Sequence, residues 1–215
     1  MSTDDEKRIA AEAAAELVED GMTVGLGTGS TVAHLLPALA ARGLSDIRCV
    51  ATSVATEEQA RGLGIPVEEF GQLQRLDIAI DGTDQVTPDG WLIKGGGGAH
   101  LREKIVAAAA ERFIVISDSS KPVEALSAPV PLELFAFGLR STLSRLGGEV
   151  ELRDVPRSPD GGAIADYRGG IGDPAELAAQ LEADPGLAAH GLFAPDMVSA
   201  VLVGAGGTVE RLTLS

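Results

Sequence analysis

Short apolar segments that close on glycine or aspartate, alternating with stretches of helical character, restrict this chain more than any other feature. "MTVGLG" (22–27) leads into a helical stretch from Thr31 to about Ala41. "IRCVATS" (47–53) leads into "VATEEQARGLG" (54–64), which Gly62 and Gly64 stop. "LDIAIDG" (76–82) and "RFIVISDSS" (112–120) are further strands, each ending in aspartate. Between them "LREKIVAAAAERF" (101–113) places apolar residues at 101, 105, 108/109 and 113, close to the helical period. Strands alternating with helices predict a largely parallel, doubly wound α/β sheet of Rossmann-like type. Ligands of such sheets collect at the carboxyl ends of the strands. Gly27, Asp81, Asp84 and Asp118 fall there.

The pattern changes after Pro129. "VPLELF" (130–135), "EVELRDV" (149–155), "AIADY" (163–167) and "GLAAHGLF" (186–193) read as strands. "GLRSTLSRLGG" (138–148) and "DPAELAAQLEA" (173–183) read as helices, the second with Asp173 as N-cap and Pro174 in the first turn. The order β-α-β-β-α-β is that of a small ferredoxin-like α+β unit. "VSAVLVGAGGTVERLTLS" (198–215) offers two more strands that can return to the first sheet. The expected division is therefore residues 1–128 plus 196–215 for the doubly wound catalytic unit and 129–195 for the small one.

Bulk properties narrow the function classes. At 215 residues the chain can bury roughly 70% of its unfolded surface, so a core needs no disulfide or metal staple. The single cysteine, Cys49, suits a reducing compartment, and the acid-rich start lacks the basic and apolar regions of a signal peptide. No segment approaches the roughly 18 apolar residues of a membrane span, so a cytoplasmic protein is expected. The formal net charge of −15 argues against nucleic acid and anionic membranes as partners. Any anionic ligand must then be held by local groups against an unfavourable global field.

Four segments carry chemistry. "VGLGTGSTVAH" (24–34) sets a glycine-rich turn between strand and helix, where backbone N–H groups, the helix dipole and the hydroxyls of Thr28, Ser30 and Thr31 favour an anion. A dinucleotide site expects an acid about 20 residues on, at the end of the next strand. Thr52 and Ser53 stand there instead, and no P-loop lysine follows the glycines. That leaves a single-phosphate pocket, or a plain tight turn capped by Ser and Thr. "DGTDQV" (81–86) pairs Asp81 with Asp84 for a cation, sugar hydroxyls or a turn. No metal ligand set can be assembled around them, because His34, His100 and His190 are scattered. "KGGGGAHLREK" (94–104) delivers Lys94 from a strand-like "WLIK" to a bare backbone and then a helix. Locally, Glu103 reads as a solvated residue of that helix's early turns and His100 as structural. "SDSSKP" (117–122) sets Lys121 beyond another strand end, for a phosphate or an oxyanion, or simply at the surface.

In this order and spacing, "GLGTGST", "DGTDQV", "KGGGGAHLREKI" and "SDSSKPVEAL" resemble the type A ribose-5-phosphate isomerase family. The resemblance continues through "PLEL", "GDPAEL", "PGLAAHGLF" and "APD" and spans essentially the whole chain. It implies interconversion of D-ribose 5-phosphate and D-ribulose 5-phosphate in the non-oxidative pentose phosphate pathway, without metal or organic cofactor, in a homodimer or homotetramer. Thr28, Gly29, Ser30 and Thr31 would hold the phosphate, and Asp81, Gly82, Thr83 and Asp84 the sugar. Lys94, Gly95, Gly96 and Gly97 would line the reacting end, and Lys121 would bind substrate. Glu103 would be the base, with Lys94, Asp81 and Asp84 completing the catalytic set. Thr83, Gln85, His100 and Leu101 stand where the family has alanine, glutamate, leucine and threonine, and "PLELFAFGL" lacks the usual proline after its glutamate. Two alternatives compete: a non-catalytic sugar-phosphate sensor, and a related phosphosugar isomerase or amino-sugar-phosphate deaminase. A sensor of the repressor type would carry a basic DNA-binding module, yet only about 20 acid-rich residues precede the first strand. Ammonia release from an amino-sugar phosphate would mark the deaminase.

Overall fold

In the computed structural model, which describes residues 2–212, the chain runs α1 (Thr3–Ala15), β1 (Thr23–Leu26), α2 (Val32–Ala41), β2 (Arg48–Ala51), α3 (Val54–Gly62) and β3 (Leu76–Gly82). Next come β4 (Gln85–Val86), β5 (Leu92–Ile93), α4 (His100–Ala109) and β6 (Ala110–Asp118). A second series follows: β7 (Val130–Leu134), α5 (Leu139–Leu146), β8 (Val150–Leu152), β9 (Ala163–Tyr167), α6 (Pro174–Glu182) and β10 (Leu187–His190). The chain ends with β11 (Leu192–Phe193), β12 (Ala200–Ala205) and β13 (Thr208–Leu212). Met1 and residues 213–215, which the sequence reading places in the larger unit, lie outside the described residues.

The main sheet has the order β13-β12-β6-β3-β1-β2. Its four pairings from β12 to β2 are parallel, as a doubly wound α/β fold requires, and β13 closes the edge antiparallel. Strands buried on both faces read as continuous apolar runs, and β6 shows how. Ile114 and Ile116 join Leu35, Leu36 and Ala14 on one face, while Phe113 and Val115 join Val106 and Val201 on the other. The second series forms an antiparallel sheet in the order β10-β7-β9-β8 with its own core of Leu132, Leu134, Leu177 and Leu181. That order matches the ferredoxin-like expectation.

Three elements differ from the sequence reading. The acidic start forms α1, whose Ser2–Asp5 capping box satisfies the first turn and whose alanines bury against the sheet. Gly204 in β12 lets the helix approach, since a Cβ there would overlap the Glu6 carbonyl. "GLAAHGLF" is not one strand: Gly191 breaks it into β10 and β11. β11 instead pairs with β5, and β5 with β4, in a small three-stranded sheet. Finally, α4 ends at Ala109, and it buries His100, Glu103, Val106 and Ala107 while Ile105 is 49% exposed. The apolar face expected over 101, 105 and 108 is therefore rotated: this helix turns its polar residues inward.

Candidate active site

The carboxyl ends of β1, β3 and β6 open onto one pocket lined by Lys7, Thr28, Gly29, Ser30, Thr31, Gly82, Thr83, Asp84, Lys94, Gly95, Gly96, Gly97, Glu103 and Lys121. All the residues the sequence singles out for substrate line it except Asp81, which lies in the floor beneath Lys94.

At one end is the turn between β1 and α2. Asp81 organises it: its carboxylate accepts from Thr28 N–H (2.9 Å) and Gly82 N–H (2.7 Å). Gly27 has to be glycine, because a Cβ would overlap the Asp81 carboxylate. The Thr28 hydroxyl faces inward, 2.7 Å from Thr52 Oγ1, at the strand end where a dinucleotide site would carry its ribose acid. Among the described residues, the N–H groups of Gly29, Ser30 and Thr31 have no acceptor within the chain. These donors stand at the start of α2, where the helix dipole favours an anion. Lys7 donates to Ser30 Oγ at 3.0 Å. Its neighbour Glu6 accepts from Ser119 N–H (3.1 Å) and its hydroxyl (2.6 Å), tying α1 to the loop that presents Lys121. Sequence reasoning missed Lys7. Its only signals were that it is one of four lysines in an acidic chain and lies on an amphipathic helix.

At the other end Lys94, Asp81 and Glu103 form a buried cluster, 2%, 3% and 5% exposed. Lys94 Nζ lies 2.9 Å from Asp81 Oδ2 and 3.2 Å from Glu103 Oε2, and also donates to the Gly82 carbonyl. One ammonium thus serves two carboxylates. Burial opposes the Lys94 charge, but the Asp81 and Glu103 carboxylates outweigh it and hold its pKa above that of ordinary lysine. Burial and the Asp81 charge push Glu103 above the usual carboxylate range, against the pull of Lys94. The solvated helix residue of the local reading is in fact a desolvated base candidate. The Phe193 ring closes the floor, its centroid 5.6 Å from Lys94 Nζ and 5.1 Å from Lys104 Nζ. Lys104 is pushed down to about 8 by burial, and it donates to the Leu192 carbonyl at 2.8 Å.

The small sheet sets Lys94 in place. Lys94 N–H donates to the Gly191 carbonyl (2.9 Å), and Asp84 N–H to that of Ile93 (2.8 Å). The glycines then turn tightly beside Asp84, whose Oδ2 accepts from Gly96 N–H at 2.8 Å. Gly95 has φ +100°, and a Cβ there would strike the His100 ring.

The residues that depart from the family pattern are held by contacts of their own. Thr83 Oγ1 donates to the Gln85 and Ile93 carbonyls (2.7 and 3.0 Å). The Gln85 amide exchanges hydrogen bonds with the Ser127 backbone, 2.8 Å each way. His100 is fully buried with neither ring nitrogen partnered, and burial lowers it to about 3, so it is neutral. Among the described residues no three His, Cys, Asp or Glu side chains cluster in a metal-holding arrangement. Nor is any helix long and apolar enough to cross a membrane.

Residues 48–207 match the family model for ribose 5-phosphate isomerase A (phosphoriboisomerase A). A ribose-5-phosphate isomerase A of Caulobacter vibrioides is 48% identical over 226 aligned positions, covering 99% of each chain. The structure superposes on the crystal structure of ribose 5-phosphate isomerase A from Neisseria gonorrhoeae with a TM-score of 0.94 and 35% identity, covering 100% of this chain and 98% of that one. A D-ribose-5-phosphate isomerase in complex with phospho-erythronic acid gives a TM-score of 0.91 and 36% identity, covering 99% of both chains. A sequence and fold shared over full length place the chain in the ribose 5-phosphate isomerase A (phosphoriboisomerase A) family.

Proposed function

We propose that this chain interconverts D-ribose 5-phosphate and D-ribulose 5-phosphate through an enediolate, with Glu103 moving one proton between C2 and C1. The Asp81–Lys94–Glu103 cluster carries the reading, because it supplies a base raised by burial and a cation beside it. The phosphate sits on the free N–H groups of Gly29, Ser30 and Thr31, with Lys7 and Lys121 as countercharges. This directs the carbonyl end of the open-chain sugar toward Lys94 and Gly97.

Glu103 takes the C2 proton, the C2–H electrons form the C1=C2 bond, and the carbonyl electrons move onto O1. Returning the proton to C1 while O2 becomes the carbonyl completes the exchange, and a second proton passes between the oxygens. A positioned base of this kind contributes roughly 10²–10⁴-fold. Lys94 faces the developing oxyanion; a preorganised donor there is worth about 3 kcal/mol. Among the loop amides, Gly96 N–H is engaged by Asp84 and Gly98 N–H turns back to the Gly95 carbonyl, whereas Gly97 N–H has no acceptor among the described residues. We assign ring opening to Asp84: it takes the anomeric hydroxyl proton as C1=O1 forms and the C1–O4 bond breaks, and that proton is returned to O4. Asp81 already accepts from Thr28, Gly82 and Lys94, while Asp84 is exposed at the pocket. A phosphorylated sugar acid presents a planar carboxylate where an enediolate presents its two oxygens, so the relative bound to phospho-erythronic acid supports this reading.

Further proposals accompany it. The chain divides into residues 1–128 plus 196–215 and 129–195, works in the cytoplasm, and assembles as a homodimer or homotetramer. Light scattering of the purified protein tests the assembly. The net charge of −15 supports the absence of nucleic acid and membrane partners. A coupled assay on ribose 5-phosphate, followed by isotope analysis in deuterated water, tests the chemistry. Turnover with solvent deuterium entering C1 or C2 over repeated cycles is expected. Absence of turnover, or turnover with no deuterium entering after many cycles, refutes the enediolate route.

A further inference from the structure

Arg153 follows β8 in the small unit and does not line the pocket, yet it grips the catalytic glycine loop. Its Nε and Nη2 donate to Asp166 Oδ2 (2.9 Å) and Oδ1 (2.6 Å), a two-pronged pair with β9. Nη1 donates to the carbonyls of Gly95 (3.2 Å) and Gly96 (2.9 Å). The Asp166 side chain is 9% exposed and that of Arg153 19%, so the pair is shielded from water. An arginine held by a carboxylate on one edge presents its remaining donor in a fixed direction, which a lysine's point charge does not.

The consequence follows from peptide planarity. In a trans peptide the C=O and N–H point in opposite directions. The Gly95–Gly96 peptide has its carbonyl on Arg153 and its N–H on Asp84, so it is stretched between two fixed charges. The Gly96–Gly97 peptide also has its carbonyl on Arg153. Its N–H, that of Gly97, therefore points away from the small unit, and Gly97 lines the pocket. Adjacent glycines would otherwise let these peptides rotate with little steric resistance. Two flanking ties hold the neighbouring helix to the same unit: Arg102 pairs with Asp160 (2.7 and 2.9 Å), and Lys104 with the Leu192 carbonyl.

We propose that Arg153, locked by Asp166, is a positioning residue that aims the Gly97 N–H into the site as a donor to the enediolate oxygen. The proposal rests on the isomerase reading above, and it makes the small unit part of the catalytic apparatus. Arg153 touches no reacting atom; it acts through the backbone.

The test compares Arg153→Ala, Arg153→Lys and Asp166→Asn with the parent by kcat and KM for ribose 5-phosphate, inhibition by inorganic phosphate, and melting temperature. Misaiming one donor is expected to lower kcat about 10- to 100-fold. KM and phosphate inhibition should stay within about threefold, because the cradle is untouched. Arg153→Lys should not restore kcat, and added guanidinium ion should restore part of it in Arg153→Ala. Asp166→Asn keeps the arginine but loosens its seat, and should show a smaller loss of the same kind. If Arg153→Ala does not fold, a selective kcat loss in Asp166→Asn supports the proposal and parental kcat in that variant overturns it. Parental kcat in folded Arg153→Ala also overturns it, as does a loss that follows phosphate affinity or melting temperature and ignores guanidinium. An inactive parent, or an active Glu103→Gln, would instead refute the isomerase reading itself.

Discussion

Glu103→Gln separates the cost of the buried charge from its use. Because Asp81 Oδ2 and Glu103 Oε2 flank Lys94 Nζ at 2.9 and 3.2 Å, the two oxygens can be no farther apart than those distances combined. At an effective dielectric of about 20, opposite charges about 3 Å apart attract by about 5 kcal/mol, and like charges about 6 Å apart repel by about 3 kcal/mol. Ionised Glu103 therefore gains only about 2 kcal/mol from its neighbours, against a desolvation cost of several kcal/mol. Glutamine keeps the shape, removes that cost and leaves Lys94 paired one-to-one with Asp81. The expected gain is about 1–2 kcal/mol, or roughly 2–8 °C in melting temperature for a chain of this size. The sign with pH follows from linkage. Glu103 titrates above its unfolded value, so the parent's stability is lost as pH rises through the folded pKa. The stability gap should thus be absent near pH 4 and open as the medium becomes alkaline. In the same variant isomerisation should fall by at least about 10²–10⁴-fold, with phosphate inhibition unchanged. Thermal melts across pH and the coupled assay read both effects. Turnover within threefold of the parent removes Glu103 from the mechanism. A variant less stable than the parent at alkaline pH refutes the shared-cation argument.

Removing the cation should do the opposite. Lys94→Met leaves two buried carboxylates without their partner, and a loss of about 3–5 kcal/mol by urea denaturation is expected. Stability equal to the parent would mean the cluster is already neutral. Lys7→Ala should raise KM and weaken inhibition by inorganic phosphate about 5- to 30-fold, as loss of one charge-assisted contact implies, with little change in kcat. An unchanged KM would place Lys7 outside the phosphate site. The acid limb of kcat/KM should lie above the ordinary carboxylate value of about 4.3, since activity disappears as Glu103 is protonated. A limb at or below that value would assign it to another group.

Most of the fold was legible because strands β3 and β9 and helix α6 announce themselves by apolar runs and caps, and the structure keeps their bounds within a residue. The small three-stranded sheet was not, since β4, β5 and β11 have two residues each, below the length at which any period shows. The candidate site was legible as four glycine- and acid-bearing segments, but not as geometry. Helix α4 breaks its own pattern by burying His100 and Glu103 and exposing Ile105. Functional sites are where local rules are expected to fail. Lys7 and Arg153 were missed for a different reason: each meets its loop across more than 20 residues of intervening sequence, a relation no local pattern encodes.

The seat of Lys94 on Gly191 has a consequence for how the protein is made. The lysine and its backbone partner are separated by about a hundred residues, and all four strands of the second sheet, β7 to β10, lie between them. A chain emerging N-terminus first can form β1, β3 and β6 and the turn after β1 before β11 exists, whereas α1 also waits for β12, whose Gly204 it packs against. Until about the last eighth of the sequence arrives, Lys94 lacks both its backbone partner Gly191 and the ring of Phe193. Nascent or C-terminally truncated chains should therefore turn no sugar over, so that activity itself reports the arrival of the C-terminal strands.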